Sequence, residues 1–361
     1  MHGAFFGATF SRVETKHVLA QPVAPGVDDL PPQRNRSRFA PSTTGPAHPG
    51  TLLAALLCWL DARARGAAVL LRLEDLDRER SKPGLVDAMQ RDLEWLGLEW
   101  DAVERQSEQR VRHEAALERL VEEGRVYACD CSRAQIRAIG ALAPDGSHRY
   151  PGTCRARRVT RADWRSRPEP LRVRLGGTEP VELRDESGLD LSGDAALAFG
   201  DPLLRRRDGA YAYHFVSVVD DAARGVGRVV RGRDLAPSTM LQVALQRLLG
   251  YETPTYRHHC LYLERSGNLE RSGDKLSKLH GAVGMEALRA RYDAQSLCGL
   301  VASGVGLVPA GTRCRPAELV ARFDWSRVST RDVELVWDAD AGLSVASAPE
   351  ASADGKGRGG C

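Results

Sequence analysis

The sequence predicts an α/β protein: a parallel sheet with helices on it, a small α+β subdomain inserted into it, and a short helical part at the end. Three observations carry this. Helical segments close on Gly66, Gly97, Gly124 and Gly250, the residue that tolerates the left-handed turn after a helix. The run Ala67–Leu73 is almost wholly apolar, as a strand buried on both faces requires. The alternation of helix and strand then breaks over residues 129–200 and resumes after them.

The first ordered element is the strand at Arg38, which leads through Pro41, Thr43, Thr44, Gly45, Pro46, His48, Pro49 and Gly50 into the apolar helix Thr51–Arg65. Free N–H groups and the positive end of the helix dipole make such a turn an anion site. Gly45 and Gly50 let a ligand approach the backbone, and His48 adds a donor. An ordinary βα connection has the same build. The strand 67–73 ends in Glu74, at the carboxyl edge where open α/β sheets bind ligands. Helices follow over 84–96, with apolar residues at 85, 89, 93 and 96, and over 107–123, with Ser107 as its cap.

Val126–Ala128 is a strand leading into the insert, which carries short strands at 171–175 and 181–184. Asp208-Gly209 marks a hairpin between 203–207 and 210–213. Helix 214–223, strand 228–232, helix 237–249 and strand 256–263 complete the alternation. His258 and His259 are adjacent on that strand, so they face opposite ways and do not form a joint metal site. Helices are expected near 285–292 and 316–323. The resulting division is a poorly ordered extension (1–37), the first half of the α/β domain (38–128), the insert (129–200), the second half (201–282), a short helical part (283–340) and a disordered tail (341–361).

Hydrophobic residues at 42% and charged residues at 27% describe a globular protein, and no run approaches the roughly 18 apolar residues of a membrane helix. The N-terminus has no signal layout, so a cytoplasmic protein without membrane attachment, working as a monomer, is expected. A net charge of +3 excludes a polybasic nucleic-acid binder. Only five of the 51 basic residues are lysine, and two of these fall three apart in Lys275-Leu276-Ser277-Lys278. Arg155, Arg157, Arg158, Arg161, Arg165 and Arg167 form a basic run that suits either phosphates or water. Eight cysteines in a chain this long are no disulfide scaffold, and only Cys129, Cys131 and Cys154 cluster.

His48-Pro49-Gly50-Thr51 and Lys275–Lys278 together resemble the HIGH and KMSKS elements of class I aminoacyl-tRNA synthetases. Arg38-Phe39-Ala40-Pro41-Ser42, Leu73-Glu74-Asp75-Leu76-Asp77 and Val218-Val219-Asp220-Asp221 narrow the resemblance to the glutamyl/glutaminyl branch, over roughly residues 36–280. It implies a Rossmann-type catalytic domain using ATP with Mg2+. His48, Lys275 and Lys278 would be catalytic, and His48, Gly50, Thr51 and Lys278 would bind ATP. Arg38, Ser42, Glu74, Tyr213 and Arg231 would hold L-glutamate, the arginines its carboxylates and Glu74 its ammonium.

The residues after Lys278 are too few for the helical anticodon-binding region of a full glutamyl-tRNA synthetase. Cys129, Cys131, Tyr150 and Cys154 are similar to the structural zinc site of truncated relatives in this branch, which attach glutamate to the queuosine base of tRNA(Asp). A synthetase charging the tRNA 3′ end and a catalytically weakened tRNA-binding paralogue stand as alternatives. The chain departs from the family pattern at Thr43, at Thr51 in place of the second HIGH histidine, and at Leu279.

Overall fold

The computed structural model describes residues 35–264, 274–275, 283–338 and 340–346; Lys278, residues 1–34 of the expected extension and residues 347–361 of the expected tail lie outside them. In chain order the first elements are β1 (Arg36–Phe39), α1 (Pro49–Ala64), β2 (Ala68–Leu73), α2 (Pro83–Trp95), β3 (Ala102–Arg105) and α3 (Arg110–Glu122). The central ones are β4 (Val126–Ala128), α4 (Arg133–Ile139), β5 (Leu171–Val173), α5 (Ala195–Phe199), β6 (Leu203–Arg205), α6 (Tyr213–Ala223), β7 (Val226–Gly232), α7 (Ala236–Leu248) and β8 (Thr255–His259). The last are β9 (Tyr262–Glu264), β10 (Asp274–Lys275), α8 (Met285–Arg291), α9 (Ala294–Gly304), α10 (Pro316–Leu319), β11 (Val333–Asp338) and β12 (Gly342–Val345).

Five strands form a parallel sheet in the order β3-β2-β1-β7-β8. The strand order reverses between β1 and β7, so the loops leaving their carboxyl ends part and open a crevice there. Helix α1 crosses this sheet. Its Leu52, Leu53, Leu56, Leu57 and Leu60 are all within 1% of full burial, and Ala55, Cys58 and Ala62 are buried beside them. A helix apolar on every side belongs inside a core, here between the sheet and α9 and α10. Each such leucine contributes roughly 1.5–3 kcal/mol on burial. A second core lies under α3, α6 and α7 and extends into the insert.

Several expectations are corrected. Arg36 and Ser37 are not part of a loose extension: they pair in β1, and the Arg36 guanidinium donates to the Arg224 carbonyl at 2.7 Å. Ser107 does not cap a helix, because its N–H and hydroxyl both donate to the Asp75 carboxylate, at 2.8 and 2.7 Å, and a 3-10 turn precedes α3. The strand expected over 256–263 is two strands in two sheets. Leu261 N–H is drawn off to the Asp332 carboxylate at 2.7 Å, and the chain turns there. The insert's three-stranded antiparallel sheet takes β4 and β6 from outside 129–200, and 181–184 makes only isolated bridges.

The C-terminal part is not purely helical, and the expected tail begins too early. β11 pairs in parallel with β9 and antiparallel with β12, completing the sheet β10-β9-β11-β12. The turn is set by the Asp338 carboxylate, which accepts from the N–H groups of Asp340 and Ala341, and by Gly342 at φ 87°. Among the described residues no helix is long and apolar enough to cross a membrane.

Candidate active site

A cleft of about 300 Å3 opens where β1 and β7 part, at the N-terminus of α1. Arg38 and Ser42 come from the end of β1, and His48, Gly50 and Thr51 from the start of α1. Tyr213 opens α6, and Arg231 ends β7. Glu74 lies in an adjoining lobe of about 200 Å3 that shares Ser42 and Tyr213 with the main cleft. Backbone pairing fixes the lobe: Glu74 N–H donates to the Pro41 carbonyl at 3.0 Å, and Thr43 N–H donates to the Glu74 carbonyl at 3.2 Å.

His48 sits in extended backbone as the residue before α1, makes no side-chain cap, and is followed by Pro49, which has no N–H to leave unpaired. The N–H groups of the first helical turn therefore keep their donor capacity toward the cleft. Burial lowers the His48 pKa to about 4, so the ring is neutral at pH 7. Its Nδ1 is buried and without a partner among the described residues, as is His259 Nε2 on the opposite wall.

Charge is concentrated beneath the cleft. The Asp221 carboxylate accepts from Arg38 Nε at 3.1 Å and from Arg72 Nη2 at 2.5 Å, all three residues being buried. Burial alone would raise the Asp221 pKa, and the two guanidiniums outweigh it, so the carboxyl lies below its usual range. Burial pushes Glu74 up to about 7 against the pull of Arg72 and Arg38. Among the described residues, Glu74 Oε1 and Arg72 Nε and Nη1 are buried without hydrogen bonds. Such orphans beside a cleft mark places where polar ligand atoms fit.

Arg231 is held differently. Nε donates to His258 Nε2 at 3.1 Å, Nη1 to Gln242 Oε1 at 2.7 Å and Nη2 to Thr239 Oγ1 at 2.7 Å, with the Tyr256 ring 5.3 Å away. His258 Nδ1 in turn meets the Asp185 carboxylate at 2.9 Å. Because the His258 Nδ1–H donates to Asp185, the Nε2 lone pair is free to accept from Arg231. The guanidinium is thus fixed by neutral acceptors, and its charge remains for an anion in the cleft.

In the insert, the Cys129, Cys131 and Cys154 sulfurs lie within 4.8 Å of one another. Tyr150 joins them: Cys129 Sγ is 3.4 Å and Cys131 Sγ 3.7 Å from its hydroxyl oxygen, and Cys131 Sγ is 3.6 Å from Cys154 Sγ. Four ligands at zinc–sulfur and zinc–oxygen bond lengths stand roughly 3.5–3.8 Å apart around a tetrahedron, so the donor set fits such an ion. Gly200 lies against this group, where a Cβ would meet the Tyr150 carbonyl oxygen at 2.0 Å.

Residues 35–325 match the family model described as the catalytic domain of class I tRNA synthetases (E and Q). The chain is 43% identical over 297 residues to a glutamyl-Q tRNA(Asp) synthetase of Nocardia farcinica, covering 81% of this chain and 90% of that one. It is 39% identical to one of Symbiobacterium thermophilum, covering 86% and 99%. The chain belongs to the glutamyl-Q tRNA(Asp) synthetase family. Among solved structures, a glutamate tRNA ligase of Elizabethkingia meningosepticum superposes with a TM-score of 0.66 at 24% identity, over 84% of this chain and 67% of that one. The fold is accordingly a class I synthetase catalytic domain on a parallel α/β core, an enzyme of ligase type that works with ATP, Mg2+, glutamate and tRNA.

Of the residues singled out in the sequence, Arg38, Ser42, His48, Gly50, Thr51, Tyr213 and Arg231 share one cleft, and Glu74 borders it. Lys275 enters through β10, paired with Leu263; Lys278 lies outside the described residues. The basic run is largely spoken for: Arg155 pairs with Asp201, Arg157 with Asp130 and Glu169, Arg161 and Arg165 with Glu118, and Arg167 with Asp163. Arg72 and Asp185 carry no motif in the sequence, and His259 enters there only as a residue outside a metal site. Only the charge inside the apolar run of β2 signals Arg72, and nothing local signals Asp185.

Asp221→Ala leaves Arg38 and Arg72 buried without their shared carboxylate. We expect a loss of about 3–5 kcal/mol in urea unfolding at pH 7, as for other broken buried pairs. A wild-type midpoint would show that water or Glu74 takes over the two charges.

Proposed function

We propose that this chain activates L-glutamate with ATP and transfers it to the queuosine base at the wobble position of tRNA(Asp). One observation carries the reading: a single cleft joins two buried arginines, a tyrosine and a bordering carboxylate to the free N-terminus of α1. The glutamate carboxylates meet Arg38 and Arg231, its ammonium meets Glu74, and the hydroxyls of Ser42 and Tyr213 complete the pocket. ATP lies over Gly50 and Thr51, with His48 donating to a phosphate oxygen. The α-carboxylate oxygen attacks the α-phosphorus, the bond to the β-phosphate bridge breaks, and pyrophosphate leaves. A queuosine hydroxyl then attacks the mixed anhydride, losing its proton and releasing AMP. Positioning and charge supply the rate, and the family pattern gives Lys275 and Lys278 the charge of the leaving pyrophosphate. Thr51 still offers a hydroxyl where the family pattern has histidine. Cys129, Cys131, Cys154 and Tyr150 hold one structural zinc, and their free thiols fit a cytoplasmic site of action.

The test is glutamate-dependent ATP–pyrophosphate exchange without tRNA, followed by transfer of labelled glutamate to tRNA(Asp) with and without queuosine. Exchange, with transfer only to the queuosine-bearing tRNA, is expected. No exchange overturns the enzyme reading. Transfer to tRNA(Glu) instead would make it a 3′-end synthetase.

Two further outcomes follow from the site. The ammonium needs an ionised Glu74, whose pKa of about 7 is raised above its usual value. The KM for glutamate in exchange therefore falls about tenfold from pH 6 to pH 8 as the carboxyl loses its proton. Glu74→Gln raises the KM and flattens this dependence; an unchanged profile would remove Glu74 from the ammonium site. Elemental analysis of the purified protein should give about one zinc per chain, and Cys154→Ala should lose it. A metal-free protein with full transfer activity would remove the ion from the account.

A further inference from the structure

A chain of depressions leads away from the glutamate cleft. Tyr211 lines the Glu74 lobe, a middle lobe of about 280 Å3, and an outer cleft of about 210 Å3. Arg206 lines both the Glu74 lobe and the outer cleft, so the path is continuous.

The charges along it differ. The middle lobe mixes Asp77, Glu79 and Asp208 with Arg78 and Arg110. The outer cleft is lined by six arginines, Arg110, Arg165, Arg167, Arg205, Arg206 and Arg207, and one carboxylate, Glu114; Arg165, Arg167 and Arg206 also pair with Glu118, Asp163 and Asp208 outside that lining, which among the described residues leaves Arg205 and Arg207 as its uncompensated charges. Glu114 is already bound to Arg110 at 2.6 Å. Arg205 is buried and donates only to backbone carbonyls, those of Trp164 at 3.0 Å, of Arg167, and of Glu169 at 3.4 Å. A buried guanidinium on neutral acceptors keeps its full charge for an outside anion. Arg207 is exposed, and among the described residues it has no hydrogen-bond or ion-pair partner. Arg165 lies over the Trp164 ring at 4.3 Å, which stiffens the rim.

Resting on the function proposed above, we propose that this arginine cleft binds backbone phosphates of the tRNA whose modified nucleoside enters the Glu74 lobe. The sign pattern sets the register: phosphates avoid the carboxylates of the middle lobe and settle on Arg205–Arg207, while the nucleoside reaches past Tyr211 toward Ser42 and Glu74. The cleft fixes position on the strand, and the inner lobe reads the base.

Arg207→Glu tests this, because the residue is exposed and remote from the glutamate cleft. The probe is fluorescein-labelled tRNA(Asp), with and without queuosine, titrated against the full chain over a range of salt. We expect affinity to fall about tenfold or more for both tRNAs, the slope of log K against log salt to drop by about one, and Arg207→Lys to retain most of the binding. The exchange reaction without tRNA keeps its wild-type rate. Arg322→Glu, an exposed arginine of the C-terminal part, controls for net charge and leaves binding unaltered. Wild-type affinity and salt slope for Arg207→Glu, or an equal loss for Arg322→Glu, overturn the proposal. Failure of the wild-type chain to transfer glutamate overturns the function instead, and the binding measurement still decides the cleft.

Discussion

The buried Asp221 carboxylate is the constraint on which the site depends. It comes from α6 and gathers Arg38 of β1 and Arg72 of β2 under the cleft floor. Two like charges held this close would repel without it, and neither guanidinium can shed its proton. With the carboxylate in place, three elements are locked in one register, and Arg38 is held at the mouth of the crevice rather than free to swing. The surplus of positive charge also sets the neighbourhood of Glu74. Its carboxyl is desolvated, yet it faces two cations, and it ends near neutrality.

Arg231 shows a second way to hold a charge in place. No carboxylate touches it, and its alignment is borrowed from His258, which takes its own orientation from Asp185. Asp185 belongs to the insert, and its carboxylate also accepts from His258 N–H and Ser187 Oγ. The insert is therefore coupled to the sheet at the residue before the cleft wall. Its cysteine group, earlier in the chain, stands on the same subdomain.

The parallel sheet was legible because the apolar run of β2 alternates with glycine-closed helices, and the cleft because its motifs lie at strand ends. β3 was not legible: Ala102–Arg105 alternates with charged residues, and Glu104 is buried only because Arg112 and Arg224 come to it from elsewhere. The C-terminal sheet was missed for a different reason. Val333–Trp337 has strand character, but its partner β9 lies some seventy residues earlier, beyond any local pattern. Of the site, the cleft residues were readable from motif and position. The relay Asp185–His258–Arg231 was not, since it depends on how the insert folds back onto β8.

The strand that delivers Lys275 is only two residues long and is carried by β9, which leans on β11, which leans on β12. The β11–β12 hairpin thus underpins a strand some sixty residues before it. The lysine strand is therefore only as firm as a hairpin that lines no part of the cleft. Removing that hairpin would leave the lysine strand with half a sheet.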